Sequence, residues 1–275
     1  MRFRKIYVEI SNLCNLSCAF CPGTRRAPGR MTAGQFTQLL PKLKPYTEYL
    51  YFHLMGEPLC HPELKEFLDL AQDFKVILTT NGTLLARQQE ILLSAPNLHK
   101  VNISLHAFEA NDLAAPFADY LADCFRFGQA AAGKRIVVYR LWNQGGQDTR
   151  NEEILSCLEQ YFPKPWTEKR QGIQIGDKVF LQHAEKFDWP DLQAEEDSGS
   201  LFCYGLRDQL GVLWDGTVVP CCLDHEGDIA LGNLFTQDME EILNSPRAKA
   251  IYDGFTARQA IEPLCRRCGY ARRFR

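Results

Sequence analysis

Residues 6–21 read IYVEISNLCNLSCAFC, a short apolar strand pattern followed at once by three cysteines. Cys14, Cys18 and Cys21 are spaced closely enough for one loop to surround a metal centre. Thiolates favour soft or borderline metals and iron–sulfur clusters, whereas calcium and magnesium require oxygen ligands. Structural zinc needs four ligands, and the loop contains no fourth cysteine or histidine. The loop therefore predicts an iron–sulfur cluster with one iron open to a substrate or cofactor.

The composition is that of an ordinary globular chain. Of its 275 residues, 45% are hydrophobic and 24% are charged, and the formal net charge is -3, so nothing indicates binding to nucleic acid or to a membrane. The first residues enter a strand pattern without a signal peptide, and we expect a soluble, cytoplasmic protein. In that reducing compartment, the 11 cysteines favour metal ligation over disulfides.

Strand-like runs alternate with helix-like stretches, and this alternation predicts an α/β fold with a parallel sheet. The predicted strands cover residues 6–10, 49–54, 75–80, 100–106 and 135–142, and the predicted helices begin at Thr32, Pro62, Leu84, about Ala110 (ending near Ala132) and Glu152. Periodicity does not separate an open doubly wound sheet from an incomplete barrel. In both folds, functional residues gather where the strands end, which is where MGEP at 55–58 and TNGT at 80–83 occur.

The segment CNLSCAFC resembles the CxxxCxxC signature of the radical S-adenosylmethionine (SAM) superfamily, and MGEP resembles its GGEP motif with Met55 in place of the first glycine. The resemblance implies a partial (β/α)6 TIM-like barrel. It also implies a 4Fe-4S cluster on Cys14, Cys18 and Cys21, with S-adenosyl-L-methionine on the fourth iron. The residues that it places around this cofactor are Phe20, Gly56, Glu57, Pro58, Ser104, His106, Arg140 and Asn143.

A second group of cysteines follows an acidic, turn-rich segment near residue 195. Its four soft ligands make a closed site that fits zinc or a fully ligated iron–sulfur cluster equally well: Cys203, Cys221, Cys265 and Cys268. Their order around a hairpin expected at Asp215-Gly216 resembles the SPASM or shorter Twitch extension of the same superfamily. That resemblance implies one auxiliary 4Fe-4S cluster, with Cys221 rather than Cys222 as the ligand. We expect a barrel domain over residues 1–195 and a small α+β auxiliary domain over residues 196–275.

The resemblance to Twitch-bearing dehydrogenases implies hydrogen-atom abstraction by a 5'-deoxyadenosyl radical and a net oxidation of a small molecule. The expected protein partner is an electron donor such as flavodoxin or ferredoxin. Candidate bases for the oxidation are His183, Asp224 and His225. One alternative is a maturase that modifies a ribosomally made peptide or protein. An alternative of another class is a structural or binding protein in which both cysteine groups hold zinc.

Overall fold

The computed structural model describes residues 2–111, 116–146, 148–197 and 199–274. Within those ranges, no helix combines the length and the apolar character needed to cross a membrane. The chain forms two compact units. The first contains residues 1–13, 23–56 and 187–275, and the second contains residues 14–22 and 57–186. The domain boundary expected near residue 195 stays a prediction.

The elements follow the predicted alternation of strands and helices. The strands are β1 (Lys5–Val8), β2 (Tyr49–Phe52), β3 (Lys75–Thr80), β4 (Leu98–Ser104), β5 (Ile136–Gln144), β6 (Thr167–Lys169), β7 (Gly172–Gly176), β8 (Val179–Glu185), β9 (Gln209–Val212), β10 (Thr217–Val219) and β11 (Gly232–Asn233). The helices are α1 (Ala33–Leu43), α2 (Leu64–Leu70), α3 (Leu85–Ser94), α4 (Phe117–Ala131), α5 (Asn151–Tyr161), α6 (Met239–Asn244), α7 (Pro246–Thr256) and α8 (Pro263–Arg266). The helix expected from about Ala110 begins at Phe117, and its residues 112–115 lie outside the described ranges.

In the first unit, the strand order is β11-β10-β9-β1-β2. Strand β1 runs parallel to β2 and to β9, whereas β9, β10 and β11 are antiparallel. The hairpin expected at Asp215-Gly216 is confirmed. Gly216 adopts φ +86°, and a Cβ at this position would lie 2.6 Å from the ring of Phe235. Glycine is therefore required both by the left-handed backbone and by the close packing.

In the second unit, β3, β4, β5 and β8 run parallel in that order, and β7 and β6 continue from β8 as antiparallel strands. The parallel strands are fully buried along much of their length, as at Leu78 and Val101. The mixed α/β fold with parallel strands is as predicted. Strands β6, β7 and β8 were not expected from the sequence: β6 is short and wholly exposed, and the turn from β7 to β8 has Lys178 at φ +59° instead of a glycine.

Candidate active site and auxiliary cluster site

The loop with the first three cysteines lies in the second unit and is held by the segment that follows β4. The backbone N–H of Ser17 donates to the side chain of Asn111 (2.8 Å), and that of Ala19 donates to the carbonyl of Ala110 (3.1 Å). As whole residues, Cys14 and Cys21 are exposed, whereas Cys18 is half-buried. The loop thus presents three soft donors and no fourth, which fits a cluster with one open iron.

Two side-chain amides point at sulfur atoms of this loop. Asn111 Nδ2 lies 3.0 Å from Cys18 Sγ, and Asn81 Nδ2 lies 3.9 Å from Cys14 Sγ. Burial raises the pKa of Cys14 to about 11 and raises the pKa of Cys18, where the bond from Asn111 opposes the shift. Such thiols stay protonated near pH 7 until a metal displaces the proton. The sequence suggested only a turn for Asn81 and no role for Asn111, because its contact with Cys18 spans 93 positions of the chain.

Met55 and Gly56 explain both the motif and its departure from GGEP. The side chain of Met55 packs in an apolar cluster with Tyr7, Leu54 and others, so the larger residue fills the core. Gly56 has φ +75°, and a Cβ there would lie 2.4 Å from the carbonyl oxygen of Ser11. Any side chain would clash with the backbone that leads into the cysteine loop.

Glu57 is buried, and its carboxylate joins two turns of the second unit. Oε1 accepts a bond from the backbone N–H of Leu59 (3.0 Å), and Oε2 accepts one from the N–H of Asn81 (2.7 Å). Thr80 contributes a side-chain bond. Burial raises the pKa of Glu57 to about 7, and these three bonds oppose the shift. A carboxylate has about four acceptor positions, which leaves one for a ligand.

Several predicted cofactor residues meet at the ends of β4 and β5. The rings of Phe20 and His106 are 4.9 Å apart, and His106 Nδ1 lies 3.1 Å from the carbonyl oxygen of Arg140. Ser104 is the register partner of Arg140. Burial lowers the pKa of His106, which favours the neutral ring. The amide of Asn143 instead pairs reciprocally with that of Asn151, at 3.0 and 3.1 Å.

In the first unit, four cysteines line one cavity, which also contains Asp224 and Tyr270. These cysteines are Cys203, Cys221, Cys265 and Cys268. Burial raises the pKa of all four thiols, that of Cys268 to about 11. Cys222 does not line the cavity; its thiol bonds to Tyr7 and packs against the apolar cluster around Met55. The donor set fits a metal centre closed by protein thiolates.

The three candidate bases occupy different environments. Asp224 accepts bonds from the N–H groups of Asp228 and Ile229, both 2.9 Å, and burial raises its pKa to about 6. His225 Nδ1 lies 3.2 Å from the carbonyl of Leu223 in its own turn. His183 lies on β8 in the second unit with an exposed side chain. Asp224 and His225 are thus neighbours within the first unit, whereas His183 belongs to the second.

Two family models match the chain. The radical SAM superfamily model matches residues 8–124, and the SPASM model, an iron–sulfur cluster-binding domain, matches residues 203–269. The chain thus contains a radical SAM domain and a SPASM domain. Its radical SAM domain implies a 4Fe-4S cluster and S-adenosylmethionine, and its SPASM domain implies an auxiliary iron–sulfur cluster. These matches argue against the alternative in which both cysteine groups hold zinc.

Curated relatives share only part of their length with the chain. S-adenosyl-L-methionine-dependent 2-deoxy-scyllo-inosamine dehydrogenase of Niallia circulans is 27% identical over 114 residues, which are 38% of this chain and 46% of that protein. GTP 3',8-cyclase of Synechococcus sp. is 29% identical over 148 residues, which are 49% of this chain and 41% of that protein. The chain thus spans less than half the length of these curated relatives.

Solved structures match over nearly the whole chain and show the fold. BtrN in complex with AdoMet and 2-DOIA has a TM-score of 0.59 at 17% identity, covering 98% of this chain and 93% of that one. Streptococcus suis SuiB bound to precursor peptide SuiA has a TM-score of 0.64 at 16% identity, covering 91% of this chain and 67% of that one. The expected radical SAM fold is confirmed.

Proposed function

We propose that the protein is a radical SAM oxidoreductase that removes a hydrogen atom from a small molecule and completes a net two-electron oxidation. The observation that carries the proposal is the difference between its two cysteine groups. The loop of the second unit offers three thiols, whereas the cavity of the first unit is lined by four. One group thus leaves an iron open to S-adenosylmethionine, and the other closes its metal centre with protein ligands.

We assign the catalytic cluster to Cys14, Cys18 and Cys21 in a domain over residues 1–195. The auxiliary cluster then belongs to a domain over residues 196–275, on Cys203, Cys221, Cys265 and Cys268. When bound, the clusters and S-adenosylmethionine supply a 5'-deoxyadenosyl radical and an acceptor for the second electron.

The chain's own residues hold the cofactor in this proposal. Phe20 and His106 supply a ring pair beside the adenosine, with Ser104 and Arg140 on the adjoining strands. The segment Gly56–Pro58 receives the methionine amino group, for which Glu57 has an acceptor position left. Asn143 contacts the cofactor only if it exchanges its bond with Asn151. The candidate proton acceptors are His183, Asp224 and His225, and the electron donor is a flavodoxin- or ferredoxin-type protein.

The first test replaces Cys14, Cys18 and Cys21 together with Ala. The cavity of the first unit has its own four cysteine thiols, so its cluster should remain in this variant. We therefore expect bound iron to fall by about half and reductive cleavage of S-adenosylmethionine to vanish. Cys157→Ala, on α5, is the control and should retain both. An unchanged cleavage rate in the triple variant would refute the assignment.

The second test identifies the substrate class. Anaerobic incubation with deuterated alcohols, aminocyclitols or peptides should move deuterium from the true substrate into 5'-deoxyadenosine. We expect transfer from a small alcohol, consistent with the dehydrogenase relative and with the nearly complete mutual coverage of the BtrN fold. Transfer from peptides alone would favour the maturase alternative, which the fold match to peptide-bound SuiB supports.

A further inference from the structure

The side-chain amide of Asn111 makes three contacts, two of which bind the cysteine loop. One N–H of Nδ2 points at Cys18 Sγ (3.0 Å) and the other at the carbonyl of Ala107 (2.6 Å). Oδ1 accepts the backbone N–H of Ser17 at 2.8 Å. The amide therefore ties a thiol and its neighbouring backbone to the segment that follows β4.

The contact from Asn111 to Cys18 Sγ is shorter than the contacts that Leu16 and Asn81 make with Cys14 Sγ. Cys14 Sγ accepts from the backbone N–H of Leu16 at 3.4 Å and lies 3.9 Å from Asn81. Asn81 directs the same Nδ2 to Asn15 Oδ1 at 3.0 Å, so its amide is shared. Asn111 is thus better placed than Asn81 to influence a sulfur ligand.

We propose that Asn111 is a positioning residue of the catalytic cluster, which holds Cys18 and raises the cluster's reduction potential through its N–H···S bond. The inference rests on the proposed ligand role of Cys18. Reduction adds negative charge to a cluster, and a donor aimed at a ligand sulfur stabilises the reduced form more than the oxidised one.

Two variants separate this role from simple loop fastening. Asn111→Leu has a similar size and removes every polar contact, whereas Asn111→Asp keeps an acceptor for Ser17 but replaces the donor by a negative charge. Asn97→Leu is the matched control, because Asn97 also donates two bonds to backbone carbonyls, of Leu68 and Ala71, in the same unit. Asn97 has no described contact with the cysteine loop.

The experiment is a redox titration of the anaerobic holoenzyme followed by electron paramagnetic resonance, using the cluster signal that changes when S-adenosylmethionine is added. We expect the midpoint potential to fall in Asn111→Leu, to fall further in Asn111→Asp, and to stay unchanged in Asn97→Leu. A wild-type potential in Asn111→Leu would overturn the proposal, even if Asn111→Asp shifts, because charge alone would then explain that shift.

Iron analysis decides the remaining outcomes. In one outcome, both Asn111 variants lose the SAM-sensitive signal while they retain the auxiliary cluster and the fold. That result would support the proposal that Asn111 holds Cys18 in place. Failure of both variants to fold would assign Asn111 to the fold and overturn the proposal. A wild-type protein without any SAM-sensitive signal would instead refute the proposed function itself, so the two failures are distinguishable.

Discussion

Glu57 holds two turns of the fold and, in the proposed function, also contacts the cofactor. Its carboxylate accepts two backbone N–H groups that an amide cannot both satisfy, since Gln has one acceptor oxygen. We expect Glu57→Gln to destabilise the fold by about 1.5–3 kcal/mol, typical of bonds to charged groups, and to weaken binding of S-adenosylmethionine. Denaturant unfolding and equilibrium binding measure the two effects. Glu66→Gln, at an exposed position of α2, is the control. A stable variant with unchanged affinity would contradict both roles.

The same residue predicts a pH dependence with a definite sign. Burial raises the pKa of Glu57 from 4.5 to about 7 in the folded chain, so the folded state binds more protons between these values than the unfolded state does. The contribution of Glu57 to stability therefore declines as the pH rises from about 4.5 to about 7. Relative to Glu57→Gln, which does not titrate, the wild type should lose free energy of unfolding across this window. Parallel slopes for the two proteins would show that Glu57 titrates normally.

At this scale the sequence predicted residue types better than contacts. The three cysteines, Glu57, Phe20 and His106 could be named as candidates because each belongs to a motif or to a strand end, whereas the contact between the rings of Phe20 and His106 could not. Asn111 could not, because a polar residue after a strand gives no indication that its amide reaches a thiol in a distant loop. The partner of Asn143 was hidden for the same reason.

At the scale of elements, a buried ion pair joins several segments of the first unit. Glu9, which is fully buried just after β1, receives two bonds from Arg26, at 2.6 and 2.8 Å. Its oxygens also accept the N–H groups of Met55 and Trp214, both at 3.2 Å, while Arg26 donates to the carbonyl of His225 at 2.7 Å. The pair thus links the MGEP loop to the hairpin and to the segment after Cys222.

Removing the cation from this pair should be costly. Arg26→Leu leaves the carboxylate of Glu9 buried without a counter-charge, and we expect a loss of about 3–5 kcal/mol in the free energy of unfolding. Arg25→Leu is the control, because the guanidinium of Arg25 is exposed and its pair with Glu226 is 3.7 Å long. That change should cost less than about 1 kcal/mol. Equal unfolding midpoints for both variants would show that the buried pair contributes little.

Element prediction succeeded where apolar runs were long and failed where they were short. Strand β3 was located to the residue because its apolar run is buried on both faces. Strand β6 has three exposed residues, so it has no alternation to detect. The turn at Lys178 lacks the glycine that usually marks a left-handed position.

At the scale of the whole molecule, the question is the role of an auxiliary cluster in the four-cysteine cavity of the first unit. Such a cluster can transfer electrons or simply hold the C-terminal segment in place. Because its four thiols leave no iron open to a substrate, we expect electron transfer. A variant with Cys265→Ala and Cys268→Ala should still form 5'-deoxyadenosine but yield little oxidised product per molecule of it. Cys222→Ala is the matched control, since Cys222 lies outside the cavity lining and should keep the wild-type ratio.

The structural role predicts a different result for the double variant. Metal binding and folding are coupled in small metal-held segments. Loss of a purely structural cluster would therefore lower the stability and abolish both 5'-deoxyadenosine formation and product formation. Product per 5'-deoxyadenosine is therefore measured together with the melting temperature. A folded double variant with the wild-type ratio would refute electron transfer, and an unfolded one would assign the cluster to the fold. A lower yield of oxidised product per 5'-deoxyadenosine in Cys222→Ala would instead show that Cys222 takes the place of Cys221 as a ligand.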